Sequence, residues 1–438
     1  MNDLAERLIR LEDDLNRDGD FFHLGSLNVE YFRFLFKHGN TKVSFVVEAI
    51  RTIKFVLKFF CSSKKASSFP LNLTIVFCKS GERPHHNKLI DYLDEEYLNS
   101  SKFDKNYNDA FRSLSISEKI IVFGESMRTF VKSYRKIRKT SFQYGLSFHS
   151  GKLIYQLVVQ YIRFNASKFF FKKKQVKLVL ADYDRGVFSA LILAANALNI
   201  KTVSLQHGVV NPPYGYNPII ADEIWVWGKI WKDILINLKV DESRIKIVGS
   251  SIIEDSSGGS FSGEVRVIGI GPNPVGNDVN FMLWNTLISK FLEMNFEVIV
   301  KLHPSMKVDA DIKKIFGNSV QIFEATQLSN DEFFQMIDLL VVSNSGLGYE
   351  AIVNNTLVAV NRQVGSDGND YIMLEAGKFP ELTESVLKKT LEDIQSNFID
   401  YLLLEKRFVA DNIFYKTGDH ARETTKELIN RCLYEMVD

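Results

Sequence analysis

Lys301-Leu-His303-Pro304 and Ser343-Asn344-Ser345-Gly346-Leu-Gly348-Tyr-Glu350-Ala decide the reading of this chain, because each string follows a short apolar run. Phe296 to Lys301 runs into the first string, Ser319 to Glu324 forms a second run, and Asp338 to Val342 runs into the serine-rich string. Ala351 to Asn355 then reads as the first turns of a helix. Short apolar runs alternating with helical patterns are the mark of βαβ units around a buried parallel sheet. Ligands of such sheets sit outside the carboxyl ends of the strands. His303, Ser343, Ser345 and Glu350 are therefore expected on one edge, facing one ligand.

The residue types suit a phosphate. A small-residue turn opening a helix leaves backbone N–H groups unpaired at the positive end of the helix dipole. Ser343 and Ser345 add hydroxyls, Gly346 and Gly348 admit close backbone approach, and Lys301 and His303 add charge or donors. Glu350 would accept hydrogen bonds from sugar hydroxyls. The plainer alternative is that Ser-Asn-Ser-Gly only caps a helix; the His-Pro pair two strands earlier favours the anion site.

The two strings resemble the His-Pro and double-serine motifs in the nucleotide-binding domain of bacterial GT-B glycosyltransferases of capsule and lipopolysaccharide synthesis. Sialyltransferases and Kdo transferases that use CMP-activated sugars are among them, and polyol-phosphate transferases carry similar strings. The resemblance spans about residues 176 to 360. It implies an α/β chain of GT-B architecture, with two Rossmann-like domains facing a central cleft and a carboxy-terminal helix crossing back. It also implies a nucleotide-sugar donor, CMP-linked, as substrate, with no cofactor and no metal. The donor would be held by Lys301, His303, Pro304, Ser343, Asn344, Ser345, Gly346 and Glu350. The base would lie near Glu324 and Gln327, and Gly271 would let the donor approach the backbone. Gly269, Gly271 and Gly276 do not make a dinucleotide fingerprint, since Pro272 and Pro274 break the turn.

At 438 residues the chain exceeds one ordinary core, and two α/β domains of about 200 residues each are expected. We expect a first domain at 1–250, a donor domain at 251–400 and carboxy-terminal helices at 401–438 packing back on the first. Hydrophobic content of 45% with net charge +1 excludes disordered and fibrous classes and any global attraction to nucleic acid. Cys61, Cys78 and Cys432 lack metal or redox spacing, and the amino terminus is polar without an apolar core, so a cytoplasmic protein is expected. No apolar run approaches the roughly 18 to 20 residues that span a bilayer, which leaves only peripheral membrane contact.

The first half reads as short helices to about Lys42, a helix from Val43 to Phe60, a strand from Leu73 to Cys78 and a loop through His85-His86. Those histidines lack a carboxylate or cysteine at ligand spacing. Glu118 to Gly124 reads as a strand. From Arg128 to Lys177 there are 13 Lys or Arg and no Asp or Glu, interleaved with aromatics from Tyr134 to Phe171. Such a surface suits the cytoplasmic leaflet, where each basic residue contributes on the order of 1 kcal/mol. It equally suits an anionic lipid-linked glycan, or a merely solvated helical face.

Val176 to Asp182, the helix from Arg185 to Leu198, and Lys201 to Gln206 form a strand-helix-strand unit that leaves Asp182, Asp184 and His207 at the carboxyl edge. Inverting transfer to a hydroxyl needs a base, which a strand-end carboxylate provides; in a retaining reaction one carboxylate would be the nucleophile. Asp182 capping the following helix is the alternative. The Gln206-His207-Gly208 string resembles the corresponding loop of capsule glycosyltransferases, which places Arg185 and Gln206 toward the acceptor. Strands at 221–228, 244–251 and 265–271, a loop at 255–263, helices at 229–238 and 279–294, and helices at 384–394, 398–408 and 420–433 complete the reading.

Overall fold

The structure is a computed structural model. It describes residues 45–62, 74–79, 84–104, 107–143, 150–183, 186–206, 208–210, 219–251, 253, 264–272, 278–304, 306–308, 312, 316, 320–343, 345–361 and 377–434. The expected helices before Lys42 and the 255–263 loop lie outside these residues.

The first half contains α1 (Phe45–Cys61), β1 (Ile75–Lys79), α2 (Pro84–Glu96), β2 (Ser100–Asp104), α3 (Asn108–Ser113), α4 (Ile116–Gln143), α5 (Ser150–Lys174), β3 (Leu178–Ala181), α6 (Ser189–Asn196), β4 (Lys201–Leu205), β5 (Glu223–Val226), α7 (Lys229–Asn237) and β6 (Ile245–Ile247). The second half contains β7 (Val267–Gly271), α8 (Asp278–Glu293), β8 (Glu297–Lys301), β9 (Gln321–Phe323), α9 (Asn330–Met336), β10 (Leu339–Val342), α10 (Gly346–Val353), β11 (Leu357–Val360), α11 (Leu387–Ser396), α12 (Phe398–Phe408), a π turn (Val409–Ile413) and α13 (Gly418–Tyr434).

The strands form two parallel sheets, in the orders β2-β1-β3-β4-β5-β6 and β11-β10-β7-β8-β9. Both are doubly wound. Strand order reverses between β1 and β3 in the first sheet and between β7 and β10 in the second, and a crevice opens at such a reversal. In register, Cys78 pairs with Ala181 at the first switch point and Gly271 with Val342 at the second. The residues that follow, Asp182 and Ser343, stand at the two crevices.

The expected strand at 118–124 is helical. Ser115 donates its N–H to Glu118 Oε2 (2.6 Å) and its hydroxyl accepts from the Glu118 N–H (3.2 Å), a reciprocal cap that starts α4. Lys119, Val122, Ser126, Ser133 and Ile137 are buried at helical spacing. Tertiary packing of that face overrides the β-branched run of Ile120, Ile121 and Val122. Asn165 donates to Ser126 (3.0 Å) and Ser133 bonds Tyr161, so contacts advance along α4 as they recede along α5 and the two helices are antiparallel. Tyr161, Phe164, Phe170 and Phe171 are buried; much of the expected basic-aromatic surface is core. The 79–87 loop also gives way to helix, α2 starting at Pro84, where a proline suits the first turn.

The lobes are joined by the segment after α12. Trp231 Nε1 donates to the Ile413 carbonyl (3.1 Å), the Tyr415 N–H to Trp227 O (2.9 Å), and the Ser250 N–H to Lys416 O (2.8 Å). Trp231 lies edge-on to Trp227 and to Tyr349 of α10, and Phe414 meets Trp227 and Tyr349. α13 then crosses to the first sheet: Ile429 and Cys432 are buried with β1, β3 and β4 side chains, Lys426 pairs with Glu96 (2.6 Å), and Tyr97 bonds Asn430 (2.9 Å). α12 instead stays on the second sheet, where buried Glu405 accepts the Val358 N–H of edge strand β11 (3.0 Å). Among the described residues, no helix is long and apolar enough to cross a membrane.

Candidate functional site

At the second switch point α10 starts at Gly346, not at Ala351: Gly346 to Tyr349 is its first turn, and Ala351 to Val353 is the end of the helix, which Asn354 caps. Ser345 is the N-cap, its hydroxyl accepting the Leu347 N–H (3.3 Å), so the capping reading of this string holds for Ser345. An anion site and a cap are compatible here, because one capped N–H leaves others at the positive helix end. Among the described residues, no atom lies within 4 Å of where a Cβ on Gly346 would stand. Ser343 is buried at the end of β10. Asn344 lies outside the described residues.

His303 and Pro304 follow β8, the neighbour of β7 in the sheet, on the same carboxyl edge. The His303 side chain is reached by water yet ringed by protein, and the resulting desolvation lowers its pKa below the ordinary value. At neutral pH it is thus a neutral imidazole, with one donor and one acceptor.

At four positions expected at the donor, the structure shows contacts within the protein. Lys301 is buried with its Nζ donating to the Leu328 carbonyl, and burial lowers its pKa against the opposing pull of Glu350 and Glu332. Strand alternation puts it on the same side of the sheet as Ile299, and the Leu328 carbonyl occupies its ammonium. Glu324 accepts the Val308 N–H (2.8 Å), and Gln327 Oε1 accepts the Glu324 N–H (2.9 Å); both side chains fasten the loops after β8 and β9. Gly271 serves packing, since a Cβ there would stand 2.9 Å from Leu347 Cδ2 and 3.2 Å from Val342 Cγ1. Its absence lets the first turn of α10 settle on β7. Glu350, half-buried, accepts from Asn330 Nδ2 (2.6 Å). Asn330 was not singled out from sequence; the Ser329-x-x-Glu332 capping box at the start of α9 was the available signal.

At the first switch point Asp182 is buried beside Cys78, whose thiol is pushed well up by burial and by the Asp182 charge. Gln206 is buried as well, but both ends of its amide are used: Nε2 donates to Gly208 O (2.9 Å) and Oε1 accepts the Trp227 N–H (2.9 Å). It ties the β4 and β5 loops together. Asp184, Arg185 and His207 lie outside the described residues, as do the side chains of His85 and His86. Among the described residues no cluster of three or more His, Cys, Asp or Glu could hold a metal.

No family model matches this chain, and no curated protein matches it in sequence. Solved structures do. The glycotransferase of kitacinnamycin is 12% identical, with 83% of this chain covering 99% of that one at a TM-score of 0.52. A proposed UDP-N-acetylglucosamine 2-epimerase from Listeria monocytogenes is 12% identical, with 84% of this chain covering 98% of that one at a TM-score of 0.50. S. aureus MnaA with UDP is 12% identical, with 83% of this chain covering 96% of that one at a TM-score of 0.50. At such identity the likeness concerns the fold. Together with the two doubly wound sheets and the returning α13, it defines a two-domain Rossmann-like GT-B fold.

Proposed function

We propose that this chain is a glycosyltransferase that moves a sugar from a nucleotide donor, CMP-linked, to a surface-glycan or lipid-linked glycan acceptor. The observation that carries this reading is that His303, after β8, and the Ser345-capped start of α10, after β10, lie on one carboxyl edge flanking the β7/β10 switch point. Departure of the nucleotide develops negative charge, and fixed donors aimed at that charge stabilise the transition state. A helix terminus with a neutral His303 would do this without a metal. The cytidine preference rests on the motif resemblance. Asp182, across at the other switch point, is our choice for the base that takes the acceptor proton.

A second reading is a sugar-nucleotide epimerase using a UDP sugar, favoured by the likeness to the Listeria protein and to MnaA with UDP. Thermal unfolding with CMP, CDP, UDP and GDP separates the two, since ligand at about 100 times its Kd stabilises by about 2.7 kcal/mol. Stabilisation by CMP, lost in His303→Ala and kept in Asp182→Asn, supports the transferase. Preference for UDP with turnover of donor alone replaces it with the epimerase, and silence toward every nucleotide refutes both.

A further inference from the structure

The outward face of α1 is apolar. Val46, Ile50, Ile53 and Leu57 recur at intervals of three and four, which sets them on one side, and they are 61%, 46%, 59% and 57% exposed. The opposite side carries buried Glu48 and Phe59 with half-buried Phe55, and packs on α5. α1 thus has the protein core on one side and an exposed apolar stripe on the other. Arg51, Lys54 and Lys58 flank the stripe, and Glu48, the one acidic residue of α1, is paired with Arg51 (2.8 Å).

α4 extends this surface. Lys119 Nζ donates to the carbonyls of Phe60 and Ser62, and Phe60 meets Phe123 edge to face at 5.5 Å, so the end of α1 lies against the start of α4. Ile116 and Ile120 precede Phe123 by seven and three residues, share its side of α4 and are 75% and 60% exposed. Farther along, Arg128, Lys132, Arg135, Arg138 and Lys139 are exposed, interleaved with exposed Val131 and Phe142. Residues 126–143 contain no Asp or Glu, while the whole chain carries net charge +1, so this stretch of α4 carries a local excess of positive charge.

We propose that the outer faces of α1 and α4 form one membrane-docking surface, the α1 stripe entering the interface of an anionic bilayer while the α4 basic residues contact headgroup phosphates. Apolar side chains bordered by cations are what such an interface binds. The inference is independent of the donor chemistry and moves the contact from the 128–177 region as a whole to α1 and the outer side of α4.

The test is co-sedimentation of the full-length protein with phosphatidylcholine vesicles, with and without phosphatidylglycerol. Two double variants are compared, Ile53→Asp with Leu57→Asp, and Arg135→Ser with Arg138→Ser. All four positions are exposed, and an unchanged unfolding midpoint verifies folding. The expected result is binding to anionic vesicles that weakens with salt and falls about tenfold or more in either double variant. Equal binding to neutral vesicles, no binding, or wild-type binding by both variants overturns the proposal. So does loss of a dimer in the Ile53/Leu57 variant without vesicle binding by wild type, which would assign the face to a second copy.

Discussion

Gly228 measures how tightly the lobes are strapped together. Its backbone is extended (φ −161°, ψ −176°), which any residue adopts; the constraint is space. A Cβ there would stand 2.3 Å from the Ile413 carbonyl oxygen, 2.6 Å from its carbon and 2.7 Å from the Asn412 oxygen, all backbone. Relieving that overlap moves the strap by roughly 1 Å, given contact distances near 3.5 Å. Overpacking of this kind costs about 1–3 kcal/mol. The same displacement loosens Trp231 Nε1 to Ile413 and the Tyr415 N–H to Trp227, each worth about 1 kcal/mol net. The lower entropy of unfolded alanine returns about 0.4–1 kcal/mol. Gly228→Ala should thus destabilise by about 2–4 kcal/mol. Gly124→Ala, inside α4 with no described atom within 4 Å of its Cβ, should stabilise by about 0.5–1 kcal/mol. Urea unfolding followed by tryptophan fluorescence reads both as midpoint shifts at constant slope, and Trp227 and Trp231 flank the strap. A Gly228→Ala midpoint at or above wild type would refute the close approach.

The depressed His303 pKa makes the unfolded chain the better proton acceptor, so its contribution to stability is full above its ordinary value near 6.5 and is lost as pH falls through the folded pKa. A bound phosphate would oppose that shift; nucleotide affinity should tighten between about pH 7.5 and 6 in wild type and stay flat in His303→Gln, as calorimetry would show. The Glu405 carboxyl is pushed well up by burial, against the Val358 N–H that lowers it. The stability it adds is full below the ordinary value of 4.5 and is lost as pH rises toward the folded pKa. Glu405→Gln keeps an acceptor for Val358 and should gain on wild type as unfolding midpoints are compared from pH 5 to pH 9; a constant difference would contradict the shift. Ser115→Ala removes the reciprocal cap of α4 and should cost about 1 kcal/mol, read as a lowered urea midpoint; an unchanged midpoint would mean that packing alone sets the start of α4.

The second sheet was legible because parallel strands buried on both faces are written as unbroken apolar runs: Glu297 to Lys301 and Leu339 to Val342 fall where those runs predict. Periodicity failed at 118–124, where a β-branched run of strand length belongs to a 28-residue helix; the Ser115-x-x-Glu118 string that starts the helix was the better signal. Which polar side chains serve the ligand edge was less legible, because that depends on parity along each strand and on what the loops bring. Lys301 is the last paired residue of its strand and bonds the Leu328 carbonyl, whereas His303, two residues later and past the last pairing, is reached by water. Glu324 is taken by an N–H of the loop after β8 and Gln327 by an N–H of its own loop, demands invisible in a linear string. The aromatic joint of Trp227, Trp231, Tyr349 and Phe414 draws on residues up to 187 positions apart, Trp227 to Phe414, so no local pattern announces it. That separation also explains the glycine at 228: the strap that returns to the first lobe can lie on the α7 start only where no side chain stands, which ties a backbone approach in one lobe to the position of Tyr349, three residues past Gly346, in the other.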